Sequence, residues 1–162
     1  MTEKDQLLNT MERELPKTLN VLRAFPPTKG ELRPHERCRT AKDLAWTFVA
    51  EGVFADGALA GSIDLSQPTP PAPATMSEVI TAYEQKQRSL MDRIRKTPDA
   101  DLNKPMKVPT GPNQMADVRR MDLLWTTVMD TVHHRGQFSV YLRMAGGKVP
   151  SIYGPTADEP WN

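Results

Sequence analysis

Near its C-terminal end the chain reads Asp130-Thr-Val-His133-His134-Arg135-Gly136-Gln137 and continues to Tyr141. The stretch has strongly helical patterning, and in an α-helix residues four apart stack one turn above each other. Asp130 and His134 therefore project together, and Gln137 and Tyr141 extend that face. A carboxylate and an imidazole on one helix face are donors that a divalent metal takes, and bundles build such sites from inward-facing polar side chains on neighbouring helices. The same pair is equally readable as an i,i+4 hydrogen-bonded couple satisfying a partly buried polar patch. An earlier helix offers a second face of this kind in Thr47 and Glu51, again one turn apart.

Other reactive types carry less. His133 points about 100° away from His134 around the helix and reads as a surface or interface residue. Gly136 inside a helix costs about 1 kcal/mol relative to alanine, which implies close approach of another helix or chain. His35 falls in a polar connection and reads as solvated. Cys38 lies between Arg37 and Arg39 but has no histidine and acid arranged with it, so it reads as an incidental thiol. Nothing resembles a phosphate-cradling glycine loop or a zinc-finger cysteine pair.

The elements that must position these residues are helical. Leu7, Leu8, Met11, Leu15, Leu19 and Leu22 recur at three- and four-residue steps and predict an amphipathic helix over 3–24, kinked at Pro16, whose missing amide cannot bond back to Glu12. Thr40-Ala-Lys-Asp43 is a capping box for a helix over 41–60, and Thr75-Met-Ser-Glu78 is one for a helix ending near Lys96. Between them, Pro68, Pro70, Pro71 and Pro73 predict an extended, polyproline-like crossover. Residues 97–114, rich in proline, read as an ordered loop with a short extended piece at Met106 to Val108. A fourth helix is predicted over 115–145, with Leu124, Val128, Val132 and Leu142 toward the core and Gly146-Gly147 as its stop. The fold class expected is all-α: an antiparallel four-helix bundle with long crossover loops, the last helix central and almost no sheet.

With 162 residues the chain suits one domain, 1–162. Twenty-one basic and 20 acidic residues, interspersed to a net charge of +1, give no electrostatic footprint for nucleic acid or an anionic membrane. A single cysteine excludes an intramolecular disulfide; no secretory leader pattern opens the chain, and no apolar run reaches the roughly 18 residues a membrane span needs. A cytoplasmic location is expected.

The run His-His-Arg-Gly-Gln into Ser-Val-Tyr-Leu-Arg, then Gly-Gly-Lys-Val-Pro-Ser-Ile-Tyr-Gly-Pro, resembles the end of a DinB-superfamily protein, and Asp43-Leu-Ala-Trp46 is similar to the start of that family's second helix. The resemblance implies a four-helix bundle and a divalent metal held by three histidines, one on the second helix and two spaced His-x-x-x-His on the last. Carried over, it places His134 as one ligand but finds Asp130 and Thr47 at the other two positions. Asp130, His134 and Glu51 are then the candidate ligands, with Thr47, Gln137 and Tyr141 lining a pocket. The metal, zinc, nickel or another divalent ion, is expected to be weakly held or absent. The resemblance further implies a metal-dependent hydrolase or thiol S-transferase acting on a small molecule, with a non-catalytic binding or stress-response module as the alternative. With Gly136 and His133, it also implies a homodimer.

Overall fold

The computed structural model describes residues 1–63, 70–112 and 114–161. Its elements are α1 (Glu3–Arg23), α2 (Ala41–Ala60), α3 (Met76–Lys96), a one-turn α4 (Asp99–Leu102), β1 (Pro105–Gly111), β2 (Gln114–Arg119) and α5 (Arg120–Met144). The class is mainly α, as the periodicity predicts, and among the described residues no helix is long and apolar enough to cross a membrane.

Local chemistry sets the helix limits. Thr2 and Asp5 form a reciprocal capping box on α1, as do Thr75 and Glu78 on α3. On α2 the Thr40 hydroxyl accepts the Asp43 amide at 3.0 Å. Helix α1 continues through Pro16 as one element, its apolar face buried from Leu7 to Leu22. Gly146, at φ 81°, supplies the left-handed residue that follows α5, and the Gly147 amide returns to the Leu142 carbonyl.

Helix α1 packs on α3 and α5, and α2 packs on the same two, so the four long helices form a square in which α5 is one wall rather than the centre. Contacts along the chain fix their directions. Glu3 meets Arg119 and Trp125 while Thr18 meets Arg135, so α1 and α5 run parallel. Leu59 meets Arg120 while Phe48 meets Phe138, so α2 runs against α5. Phe48 meets Tyr83 and Asp56 meets Arg93, so α3 runs alongside α2. Only the connection between the parallel pair α2 and α3 must return the length of the bundle. Of the polyproline-like stretch expected there, Pro68 lies outside the described residues, while Pro70, Pro71 and Pro73 are in neither helix nor strand, and the Pro70 carbonyl accepts the Trp46 indole N–H at 2.7 Å.

The hairpin is the one small sheet among the described residues: β1 contains the extended piece expected at Met106 to Val108, and β2 corrects the expectation of a last helix beginning at 115. Strands β1 and β2 pair antiparallel with Met106 opposite Val118 and Val108 opposite Ala116. Met106 and Val108 are buried, so residues at period two carry the strand's inner face. Residues 114–119 satisfy their backbone on β1 instead of starting a helix. Arg119, hydrogen-bonded to Glu3 at 2.8 and 2.9 Å and to Asp122 at 2.5 Å, ties the hairpin to the beginnings of α1 and α5.

Candidate metal centre

Glu51 stands on α2 with the face that meets α5, and its residue is only 7 % exposed. The Thr131 hydroxyl donates to its Oε2 at 2.5 Å, and His134 Nδ1 lies 2.6 Å from its Oε1. Asp130 Oδ1 is 3.6 Å from the same Nδ1. Donor atoms of Glu51, Asp130 and His134 all fall within 4.8 Å of one another. Thus i,i+4 spacing on α5 and one buried carboxylate on α2 bring three candidate ligands together.

Burial is the main reason the Glu51 carboxyl is pushed up to about 8, with the Asp130 charge adding to it and the Thr131 hydrogen bond opposing it. A cation among these groups would relieve both the burial cost and the repulsion. The Phe48 ring packs edge-on to the His134 imidazole at 6.3 Å between centroids and closes the apolar side of the cluster. Beside Glu51 and Thr131 is a cavity of about 10 Å³, lined by Met11, Gly52, Gln87, Leu90, Thr127 and Val128. That is about the space of one water.

The remaining sequence candidates are placed differently. Thr47, one turn before Glu51, accepts a hydrogen bond from Arg39 Nη1 at 2.6 Å and donates to the Asp43 carbonyl at 3.2 Å. Gln137 is exposed, its amide nitrogen 2.8 Å from His133 Nε2, so it belongs to the outer face and not to the cluster. Tyr141 is buried and donates to the Arg39 carbonyl at 3.1 Å; burial, then the neighbouring Cys38 thiol, raises its hydroxyl. A three-histidine centre does not fit this chain, since Thr47 is a hydroxyl already engaged and Asp130 is a carboxylate. The set Glu51, Asp130 and His134 does fit, offering one imidazole and two carboxylates.

The sequence reading overlooked Thr131 and a second polar cluster behind the helix. Arg135, 1 % exposed, donates to Glu14 Oε2 at 2.6 Å and Thr18 Oγ1 at 3.2 Å, and to the Tyr153 hydroxyl. Tyr153 donates in turn to Glu14 at 2.6 Å, and Lys17 Nζ lies 2.7 Å from Glu14 Oε1. Thr131 and Arg135 follow Leu124 and Val128 at core spacing, the signal that could have marked them as buried.

The profile of the DinB family matches residues 1–161. The chain belongs to the DinB family. It is 27% identical over 159 residues to the uncharacterised protein YrdA of Bacillus subtilis, covering 96% of this chain and 90% of that one. Two solved structures share the fold. A DinB-like protein from Bacillus cereus superposes with a TM-score of 0.78 at 19% identity, covering 92% of this chain and 97% of its own. One from Bacillus subtilis gives 0.74 at 15%, covering 91% and 97%.

Proposed function

We propose that Glu51, Asp130 and His134 form an altered DinB metal centre that binds one divalent cation weakly and serves a hydrolytic or thiol-transfer reaction on a small molecule in the cytoplasm. The convergence of the three donors within 4.8 Å around a buried carboxylate supports this reading. A bound metal would act as a Lewis acid or lower the pKa of a bound water or thiol. The chain's own groups prepare that site: Thr131 fixes the Glu51 carboxylate, Glu51 fixes the His134 ring through Nδ1, and Phe48 shields the imidazole from water. An oxygen-rich set with one nitrogen favours a harder ion than three imidazoles would.

A second reading has its own support. Both Glu51 oxygens already have hydrogen-bond partners within the protein, as a metal-free, non-catalytic binding module would require. Calorimetric titration of chelator-stripped protein with zinc and with manganese separates the two. The metal-centre reading expects about one site of affinity well below that of a three-histidine centre, abolished in His134→Gln and weakened at least tenfold, about 1.4 kcal/mol, in Asp130→Asn. Heats that are absent for both ions, or unchanged in His134→Gln, leave the non-catalytic module.

A further inference from the structure

Arg135 is the most deeply buried charged residue among those described. A buried ion pair is a weak source of stability, since apolar residues of the same volume often pack in its place at no cost. What it supplies that an apolar contact does not is direction. Burial of apolar area is indifferent to a small rotation of a helix, whereas a planar guanidinium bonds well only along its fixed N–H axes.

The contacts of Arg135 fix such directions toward α1. Its Nη2 donates to Glu14 Oε2 at 2.6 Å, and its Nη1 donates to Thr18 Oγ1 at 3.2 Å and to the Glu14 carbonyl at 3.4 Å. Tyr153 completes the clamp from the segment after α5: its hydroxyl accepts from Nη2 and donates to Glu14 Oε2 at 2.6 Å. That segment is itself held, because Asp158 accepts the Val149 amide at 2.8 Å and pairs with Arg143.

His134 precedes Arg135 by one residue, a step of about 100° around the helix. Since α1 and α2 flank α5 as adjacent sides of the square, that step lets His134 meet α2 while Arg135 meets α1. Thr131 lies one turn back from Arg135. Between them, Thr131 and His134 hold both oxygens of Glu51, at 2.5 and 2.6 Å. Turning α5 by about 10° on its own axis carries an atom roughly 5 Å from that axis through about 1 Å. A functional site tolerates about 0.5 Å. Both Glu51 contacts therefore depend on the rotation at which α5 is held.

We propose that Arg135, clamped by Glu14 and Tyr153, is the positioning residue of this site: it fixes the rotation of α5 and thereby seats Thr131 and His134 on Glu51. The consequence for a bound cation rests on the metal-centre reading; the seating of His134 does not. Tyr153 makes the segment after α5 a support of the site.

The test observes the His134 ring nitrogens and the Thr131 amide by NMR in nitrogen-labelled, chelator-stripped protein at one pH. Arg135→Lys keeps the charge and loses the planar fork, and Tyr153→Phe removes one arm of the clamp. Both should shift these signals, the first more than the second. Arg119→Gln is the control, since Arg119 ties the same two helices together through Glu3 at their other end. It should lower the denaturant midpoint and leave His134 and Thr131 in place. Zinc titrated into Arg135→Lys should bind about tenfold more weakly than to the parent, the loss expected when the support of a ligand is removed. Signals that stay put in Arg135→Lys and Tyr153→Phe, or that move equally in Arg119→Gln, reduce the clamp to a stability element and overturn the proposal. If zinc fails to bind the parent while both variants still move His134, the metal reading falls and the positioning role stands. Should circular dichroism show that Arg135→Lys fails to fold, Tyr153→Phe decides alone, its side chain being exposed.

Discussion

Glu51 has a hydrogen bond to each oxygen and still titrates near 8, because burial and the Asp130 charge outweigh the Thr131 hydroxyl. Its ordinary value is 4.5, so between about 4.5 and 8 the folded metal-free chain keeps a proton that the unfolded chain gives up. The carboxyl's contribution to stability is therefore complete at acid pH and is lost as pH rises through that window. Chelator-stripped protein should lose stability relative to Glu51→Gln, by on the order of a few kcal/mol between pH 5 and pH 8 in urea unfolding. Parallel pH profiles for the two proteins would show that Glu51 is ionised throughout. The pairing of Asp130 with His134 was legible because helical spacing alone dictates it. Glu51's inward direction was not, because Ala45, Trp46, Phe48 and Val49 surround it in sequence and blur the helical phase.

The long helices were legible from leucine spacing and threonine caps, and α2 begins and ends where its sequence predicts. The core stripe of α5 was only partly so. Leu124 and Leu142 are buried, Val128 and Val132 are half-buried, and the inner positions between them belong to Thr131 and Arg135, polar residues that break the apolar pattern. The hairpin was legible only in part: Met106 to Val108, its buried inner face, read as extended, whereas Pro105 and Pro109 read as loop and the residues of β2 as the start of the last helix. Arg135 joins three elements, since Glu14 comes from α1 and Tyr153 from the segment after α5. Burial alone would raise the Glu14 carboxyl, but hydrogen bonds from Lys17, Tyr153 and Arg135 hold it below its usual range. Its contribution is therefore present above the unfolded-state value and lost as pH falls through the lower folded-state value. Glu14→Gln strands a buried guanidinium and should cost about 2 kcal/mol or more near neutral pH, with the penalty shrinking in acid. Denaturant midpoints of parent and variant at neutral and acid pH check both the size and the trend.

At the scale of the whole molecule, the outer face of α5 is uncovered among the described residues. Met129, Val140 and Met144 are exposed at 68%, 57% and 53%, and a Cβ placed on Gly136 would meet nothing within 4 Å. The glycine expected from sequence to admit a neighbouring helix thus meets none among the described residues, although it still costs the helix about 1 kcal/mol. We propose that the neighbour is α5 of a second copy. Two such helices crossing antiparallel about an axis between residues 136 and 137 would set Met129 against the partner's Met144 and His133 against the partner's Val140. This is the self-complementary arrangement that an isologous dimer needs, with the glycine at the closest approach. Light scattering coupled to size exclusion should then give twice the chain mass at micromolar concentration, and Val140→Lys, exposed in the single chain, should give a folded monomer. A parent that elutes as a monomer removes the dimer, and a dimer that survives Val140→Lys moves the interface off this face.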